Sequence, residues 1–423
     1  MRNLKRALSL TLASVMLLGM MVVGAGAASY PDVDESNNIE AIEVLQAVKV
    51  MEGDSAGNFD PDRPVSRAEM AVIMALLLNL DYDYYRGTKT FNDVPNWCAP
   101  YVAACYANGI ISGYNATTYG SADTVNAVQA ASMMMRALGY FKFSSDYEGD
   151  FVLSTVKQAS KIELFKGINA NSMDPLTRNQ VAQLALNALK TPIVEPDDNT
   201  ITIKDANGNI IATGGQVNYV VTASSQAYAR AIDDAESKGT ALNGVQGYII
   251  ELGEKLYSGK LKLNDSARDV FGRPSRQWEY DGKPVGTYAK YELISQEYTK
   301  EVTGRELYDL LGADTITSIN RGGINDYVLN VAIDGISDSK IDSNVFNVSA
   351  INRNNKAGVG ATGNGVLTQV FVDGDKKVVD IAVINTYLAR ASKDYDAKKE
   401  TVDLTVYGLK KSGSNLLKEI TAG

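Results

Sequence analysis

The fold of the first part of the chain is decided by two stretches, the loop Gly53-Asp54-Ser55-Ala56-Gly57-Asn58-Phe59-Asp60-Pro61 and the segment Ser66-Arg67-Ala68-Glu69. The loop is rich in residues that form turns. Ser66 followed three residues later by Glu69 is a capping box, the pattern that begins a helix. Apolar residues at helical spacing flank both stretches, and they are Ile42, Leu45, Val48, Met70, Ile73, Met74, Leu77 and Leu78. The pattern therefore predicts a helix, a loop and a second helix.

This unit is repeated along the chain. A shift of 60 residues superimposes Gly53 on Gly113, Phe59 on Tyr119, Val65 on Val125, Ala71 on Ala131, Met74 on Met134 and Leu78 on Leu138. A weaker third copy is found when Gly53 is aligned with Gly167 and, after a short deletion, Arg67 with Arg178. The copies span residues 30–83, 88–143 and 145–192, the last of them degenerate. One helical pair cannot bury its apolar faces alone, so we expect three stacked pairs to form one all-α domain.

The motif elements recur in a fixed order. The first copy contains Phe59-Asp60-Pro61 and Ser66-Arg67-Ala68-Glu69, and the second contains Phe91-Asn92-Asp93-Val94, Trp97 and Gly109-Ile110-Ile111-Ser112-Gly113. In these elements the sequence resembles the S-layer homology family. The resemblance implies a secreted Firmicutes surface protein whose three repeats form a pseudo-threefold helical bundle. It also implies noncovalent binding to an anionic secondary cell-wall polysaccharide on the peptidoglycan of a Gram-positive wall.

Residue chemistry suggests how such a polymer is held. A guanidinium group binds a carboxylate through two parallel hydrogen bonds, which suits Arg67 and Arg178 to an acidic sugar substituent. Each follows a residue that caps a helix, so we expect a bound anion to face free backbone N–H groups as well. Carboxylates can accept hydrogen bonds from sugar hydroxyls, and an indole offers an apolar face to a sugar ring. The predicted polysaccharide-binding residues are Arg67, Glu69, Asp32, Asp93, Trp97 and Arg178.

Each of these residues also has a structural interpretation. Arg67 and Glu69 can form surface ion pairs, Asp32 and Asp93 can cap the helices that follow them, and Trp97 can be a core residue. The second copy has Asn126-Ala127-Val128-Gln129 in place of the arginine motif. We therefore expect one or two working binding sites instead of three.

The composition excludes several classes of chemistry. The 423-residue chain contains no histidine, which removes Ser-His and Cys-His nucleophile pairs and imidazole metal ligands. Its formal net charge is −9 and no basic run compensates for it, so no nucleic-acid partner is expected. Cys98 and Cys105 lie on a predicted helix roughly 10 Å apart, too far for a disulfide, and are read as buried apolar residues. We expect no catalytic residue, metal or cofactor.

The N-terminus has the pattern of an export signal. Basic residues precede an apolar run, and Ala25-Gly26-Ala27 fits the cleavage site of signal peptidase. Residues 1–27 are therefore predicted to be removed, which leaves no membrane attachment and places the protein at the cell wall or in an S-layer. A retained anchor is the alternative.

The rest of the chain is predicted to be β-rich. Residues 191–199 contain two prolines and several acidic residues, and residues 193–199 are interpreted as a semi-stiff linker. Residues 200–423 contain hairpin signals at Asn207-Gly208, Asp281-Gly282 and Asp373-Gly374, with helices expected at residues 225–236 and 305–311. The fold class is thus multi-domain, an all-α domain followed by a β-rich α+β region of one or two domains.

The leading hypothesis is a noncatalytic surface protein that is anchored by its repeats and able to self-associate. The first alternative is a wall-anchored polysaccharide hydrolase with two catalytic carboxylates, of which Glu251 and Glu254 are one example pair. The second alternative is a surface adhesin that binds a glycan or a protein. The sequence contains no motif that decides among the three.

Overall fold

The computed structural model describes most of the chain. The described residues are 30–147, 149–197, 202–204, 210–213, 217–224, 226–232, 238–240, 246–337, 348–360, 362–391, 402–407 and 421–422. They belong to two compact units, of which the first lies within Val15–Ala267 and Ser275–Tyr288 and the second within Arg268–Pro274 and Ala289–Gly423. The predicted signal peptide, residues 1–27, lies outside the described residues.

The N-terminal part of the first unit consists of helical pairs. The helices are α1 (Ile39–Ala47), α2 (Arg67–Leu77), α3 (Ala99–Ala107), α4 (Ala127–Leu138), α5 (Phe151–Lys161) and α6 (Arg178–Leu189). The capping box predicted at Ser66 is present at the start of α2. Equivalent boxes begin α4 at Asn126 and α6 at Thr177, with glutamine in the place of glutamate. The second helix of each pair therefore begins in the same way.

The loops of the three helical pairs are joined by a closed ring of backbone hydrogen bonds. Val65 N–H donates to the carbonyl of Leu176, Leu176 N–H to that of Val125, and Val125 N–H to that of Val65, at 2.9, 3.0 and 2.9 Å. All three side chains are fully buried. Each pair thus satisfies backbone groups of the next pair, and the apolar faces of all three share one core.

Gly53 and Gly113 stand in the loops between the helices of the first and second pairs, where the lack of a side chain leaves room for an aromatic ring. A Cβ atom on Gly113 would lie 2.5 Å from Phe91 Cε1 and 2.7 Å from the carbonyl oxygens of Asn115 and Thr118. Gly53 lies against the ring of Tyr30 in the same way. These are the positions that the 60-residue shift aligns.

We expect Gly113→Ala to lower the free energy of unfolding by about 2–3 kcal/mol, because backbone atoms on two sides leave no room for the methyl group. Thermal and urea unfolding of the chain measure the change. Gly363→Ala is the control, since that position has open space and is expected to stay within about 0.5 kcal/mol. Equal stabilities of the two variants would contradict this description of the loop.

Short strands follow the helices in the first unit. They are β1 (Val194–Pro196), β2 (Thr202–Lys204), β3 (Ile210–Thr213), β4 (Tyr219–Val221), β5 (Ala223–Ser224), β6 (Lys238–Thr240) and β7 (Gln246–Ile249), and they precede the short helix α7 (Leu252–Leu256). Strands β2 and β3 pair antiparallel as predicted, although their turn lies outside the described residues. In the predicted helix at residues 225–236, the described part contains a 3-10 turn at Ala227–Arg230.

The segment predicted as a linker differs from the expectation. Strand β1 occupies its first half and pairs antiparallel with β4. Ile193 N–H donates to the carbonyl of Ile250, and the side chains of Ile193 and Val194 are buried. These contacts tie the segment to its own unit, which therefore continues beyond the helices.

A three-stranded meander completes the first unit and packs against α1. Its strands are β8 (Leu261–Arg268), β9 (Pro274–Tyr280) and β10 (Lys283–Ala289), in the order β10-β9-β8. Both oxygens of Glu40 accept from Arg276 Nε at 2.9 Å, and Glu40 Oε1 also accepts from Trp278 Nε1 at 2.7 Å. Tyr288 donates its hydroxyl to Glu43 one turn further along α1. The first helix and the meander are thus joined through buried polar contacts.

The second unit is built on a five-stranded sheet with the order β11-β14-β15-β12-β13. The strands are β11 (Ile294–Tyr298), β12 (Val328–Ile333), β13 (Ile336–Ser337), β14 (Val366–Asp373) and β15 (Val378–Asn385). Helices α8 (Gly304–Leu311) and α9 (Ala313–Arg321) supply apolar residues to the same core as the sheet. Helix α8 and the β14-β15 hairpin match the prediction, whereas α9 was not predicted.

A small sheet lies at the C-terminal end of the second unit, with the order β16-β17-β18. Its strands are β16 (Leu388–Ala391), β17 (Val402–Tyr407) and β18 (Thr421–Ala422). Among the described residues of the whole chain, none of the helices has the length and apolarity needed to span a bilayer.

Candidate functional site

Arg67 lies at the contact between the first and second helical pairs, which we call the Arg67 junction. Its Nε donates to the carbonyl of Tyr119 at 3.0 Å and its Nη2 to that of Ser112 at 3.1 Å. The guanidinium carbon lies 4.6 Å from the ring centroid of Tyr119 and 4.7 Å from that of Tyr114. Arg67 is only 4% exposed. The guanidinium is therefore packed between two aromatic rings, with Nη1 making no hydrogen bond to the described residues.

Arg178 repeats this arrangement where the third helical pair meets the first, the Arg178 junction. Its Nε donates to the carbonyl of Phe59 at 2.7 Å and its Nη2 to that of Glu52 at 2.8 Å. The guanidinium carbon lies 4.6 Å from the Phe59 ring centroid. Burial lowers the pKa of Arg178, and the nearby charge of Arg63 lowers it further. Arg178 is partly exposed, unlike Arg67.

The remaining junction, between the second and third pairs, has lost both partners. Ala127 occupies the position of the arginine, and Ala170 stands seven residues before Thr177, where Phe59 precedes Ser66 and Tyr119 precedes Asn126. The arginine and the aromatic ring are thus present together at two junctions and absent together at the third. This supports the expectation of fewer than three working sites and shows that each arginine also packs against the neighbouring repeat.

The expectation of free N–H groups at the helix starts is wrong. Arg67 N–H donates to the carbonyl of Asp123 at 2.8 Å, and Ala68 N–H to that of Ser121 at 3.1 Å. Glu69 N–H is bonded to the cap Ser66. The loop of the next helical pair therefore occupies the donors that an anion would use, and charge recognition falls to the side chains.

Glu69 combines two structural contacts. Its Oε2 accepts from the N–H and hydroxyl of Ser66, and its Oε1 lies 2.9 Å from Arg63 Nη2. Burial opposes ionisation, but the hydrogen bonds from Arg63 and Ser66 outweigh it and hold the pKa of Glu69 below its ordinary value. Glu69 therefore forms an ion pair, as the structural interpretation expects, but its partner is Arg63. The side chain of Arg67 donates to backbone carbonyls instead.

Asp32 and Asp93 do not cap the helices that follow them, and each accepts backbone N–H groups of a loop. Asp32 accepts the N–H groups of Phe59 and Asp60 at 2.9 and 2.7 Å. Asp93 accepts those of the equivalent Tyr119 and Gly120 at 2.8 and 2.7 Å. Burial raises the pKa of each carboxyl, and these backbone donors lower it by more, so that both lie below the ordinary value. Each aspartate thus fixes the aromatic residue whose carbonyl binds the arginine.

Two sets of predicted residues are brought together by these contacts. Asp93 and Arg67 meet at Tyr119, and Asp32 and Arg178 meet at Phe59. Trp97 lies in the turn before α3 and is 58% exposed, so it is not a core residue. Its indole is open to a partner in solution.

The two cysteines and the carboxylate pair Glu251 and Glu254 are all buried. Cys98 and Cys105 are buried free thiols, as predicted, and burial raises the pKa of Cys105 to about 12. Glu254 is fully buried and accepts the N–H groups of Ile232 and Glu251. This carboxylate pair therefore has no open surface for a sugar substrate. Within the described residues no cluster of potential metal ligands is found.

Sequence reasoning missed Tyr114 and Arg63 at the two junctions. Tyr114 follows the loop glycine Gly113, where the first copy has Asp54 after Gly53, and nothing in this change indicates that the ring covers Arg67. The paired replacement by Ala127 and Ala170 was detectable, because both alanines stand at aligned positions. Comparing the residues across a junction, instead of one motif at a time, would have found it.

The helical pairs repeat along the chain, and two of their junctions are arginine–aromatic contacts. This part of the chain is therefore a repeat domain. Residues 29–71 and 90–126 match the sequence model of the S-layer homology domain. These matches, together with surface-layer relatives, support the S-layer homology family identified by resemblance.

The relatives include surface proteins and enzymes. The chain is 23% identical over 296 residues to "Cell surface protein" of Thermoanaerobacter kivui, covering 67% of this chain and 37% of the relative. It is 28% identical over 215 residues to "Surface-layer 125 kDa protein" of Lysinibacillus sphaericus, covering 46% and 18%. It is 27% identical over 179 residues to "Exoglucanase XynX" of Acetivibrio thermocellus, covering 38% and 16%. The chain thus spans no more than 37% of the length of these curated relatives.

The repeats and relatives define where the protein acts. It is a secreted cell-surface protein of the cell wall or S-layer, anchored to the wall.

Proposed function

We propose that the protein is a noncatalytic, S-layer-type surface protein held noncovalently by an anionic secondary cell-wall polysaccharide on peptidoglycan. The observation that carries this proposal is the pair of arginine junctions. At each one a guanidinium group is fixed by two backbone carbonyls and an aromatic ring, and one Nη keeps its donors. A guanidinium group fixed in this way is preorganised, and its remaining Nη can donate to a carboxylate on a sugar.

The third helical pair is part of this proposal. We take it as a degenerate third repeat that completes a pseudo-threefold bundle with the two matched repeats. The ring of hydrogen bonds through Val65, Val125 and Leu176 supports this, as does the shared capping box. In this scheme Asp32, Asp93 and Glu69 position the loops, Arg67 and Arg178 contact the anion, and Trp97 offers a face to a sugar ring.

Cosedimentation with sacculi tests the proposal. The chain without residues 1–27 is expected to sediment with sacculi that retain their acidic polysaccharide and to remain in solution with sacculi from which it has been extracted. Equal sedimentation with both kinds of sacculi would contradict polysaccharide binding.

A wall-anchored glycosidase is the second candidate, because an exoglucanase shares 179 aligned residues with this chain. That match covers 16% of the enzyme. Release of reducing sugar from glucan, xylan or peptidoglycan by the purified chain would favour the enzyme. Binding without hydrolysis favours the anchored surface protein.

A further inference from the structure

At each of the three junctions one equivalent loop residue accepts a hydrogen bond from the start of the second helix. The side-chain charge of this residue differs between junctions. The first N–H of each second helix donates to the carbonyl of one residue in the neighbouring loop. Arg178 N–H donates to Arg63, Arg67 N–H to Asp123 and Ala127 N–H to Asp174, at 2.9, 2.8 and 3.2 Å. The residue that accepts this bond is therefore Arg63 at the Arg178 junction, where Glu69 and Asp60 are also close, and Asp123 at the Arg67 junction.

Arg63 lies beside Arg178, and its side chain is partly open to solvent. Its side chain is 45% exposed, and it is held by Glu69 at 2.9 Å, with Asp60 more distant at 4.0 Å. The Arg63 carbonyl accepts the N–H of Arg178 at 2.9 Å, so the two residues are direct neighbours. A second cation beside the first strengthens binding of an anion where the site is partly removed from water.

The Arg67 junction is covered by an aromatic ring, and its equivalent loop residue, Asp123, is acidic. Tyr114 lies over the guanidinium group of Arg67 at 4.7 Å and is itself 55% exposed. Asp123 lies next to Tyr114, since a Cβ atom on Gly120 would contact both side chains. An anion entering here would have to displace the ring and approach a carboxylate.

From this difference in access, and from the neighbouring partly exposed Arg63, we infer that the Arg178 junction is the primary site for the anionic carbohydrate, with Arg63 as a second cationic contact. The inference rests on the proposed function and deepens it, because it assigns the acidic substituent to one of two similar junctions. The Arg67 junction then serves mainly to join the first two helical pairs. One chain accordingly binds one acidic substituent strongly.

Binding isotherms of the full chain without residues 1–27 to polysaccharide-bearing sacculi test this assignment. We expect Arg63→Gln to weaken binding about five- to tenfold through loss of one charge-assisted contact, and Arg63→Glu to weaken it further. Arg86→Gln is the matched control, because Arg86 is also an exposed arginine paired with an acidic residue, Asp83, and is expected to change binding less than about twofold. Thermal unfolding should stay nearly unchanged for Arg63→Gln, whose ion pair is partly exposed.

The outcomes separate the inference from the proposed function. Failure of the unaltered chain to bind these sacculi overturns both. Normal binding that Arg63→Gln weakens no more than Arg86→Gln overturns the assignment of the Arg178 junction and leaves polysaccharide binding intact. Weakening by Arg63→Gln that is greatest at low salt supports the inference.

Discussion

Arg67→Ala is expected to lower the free energy of unfolding by about 3–5 kcal/mol. The substitution leaves the carbonyls of Tyr119 and Ser112 without their donor and opens a cavity between the rings of Tyr114 and Tyr119. Urea unfolding followed by far-ultraviolet circular dichroism measures the change. Because Arg67 joins two helical pairs, the helical signal should be lost at a lower urea concentration.

Arg178→Ala provides the comparison for this prediction. Arg178 makes the same two backbone contacts but is partly exposed, so water replaces part of what is lost. We expect a smaller loss of about 1–2 kcal/mol. An Arg67→Ala protein as stable as the unaltered chain would show that the guanidinium group does not hold the first two pairs together.

Glu40→Ala is the second substitution with a large expected effect, a loss of about 3 kcal/mol or more. The carboxylate accepts from Arg276 and from the indole of the fully buried Trp278, and it is 14% exposed in its side chain. Its removal leaves a buried cation and an indole N–H without this acceptor. The contact between α1 and the meander should weaken.

Fluorescence and urea unfolding measure this effect together. Trp278 is buried, so a red shift of its emission reports loosening of the meander, whereas the exposed Trp97 provides a constant background. Glu35→Ala removes the same charge from an exposed position before α1 and should leave both signals unchanged. A Glu40→Ala protein that matches Glu35→Ala in both measurements would contradict the role given to Glu40.

Local sequence patterns predicted the local structure of the repeats well. The Ser66 capping box, the helical spacing around it and the Asp281-Gly282 turn depend on neighbouring residues, and the structure contains all three. The contact of Val65 with Leu176 joins residues far apart in sequence, and apolar spacing cannot reveal such a hydrogen bond. The linker was misread for a similar reason, since its pairing partner β4 lies beyond a long connection.

The sequence predicted which residues belong to the candidate site better than it predicted the surroundings of those residues. Arg67 and Arg178 were identified, but a motif does not show that one is covered by Tyr114 and the other is open. Asp32 and Asp93 were expected to meet hydroxyls because carboxylates accept hydrogen bonds. In the structure they accept backbone N–H groups of the loop, a role that the motif does not indicate because Phe59 and Tyr119 lie 27 and 26 residues away.

Calorimetric titration of the purified acidic polysaccharide into the chain without residues 1–27 tests the central claim most directly. The account predicts saturable binding that weakens by about tenfold or more when the acidic substituents are chemically removed from the same polymer. Equal affinity for the acidic and the neutral polymer, or no heat of binding to either, would contradict it.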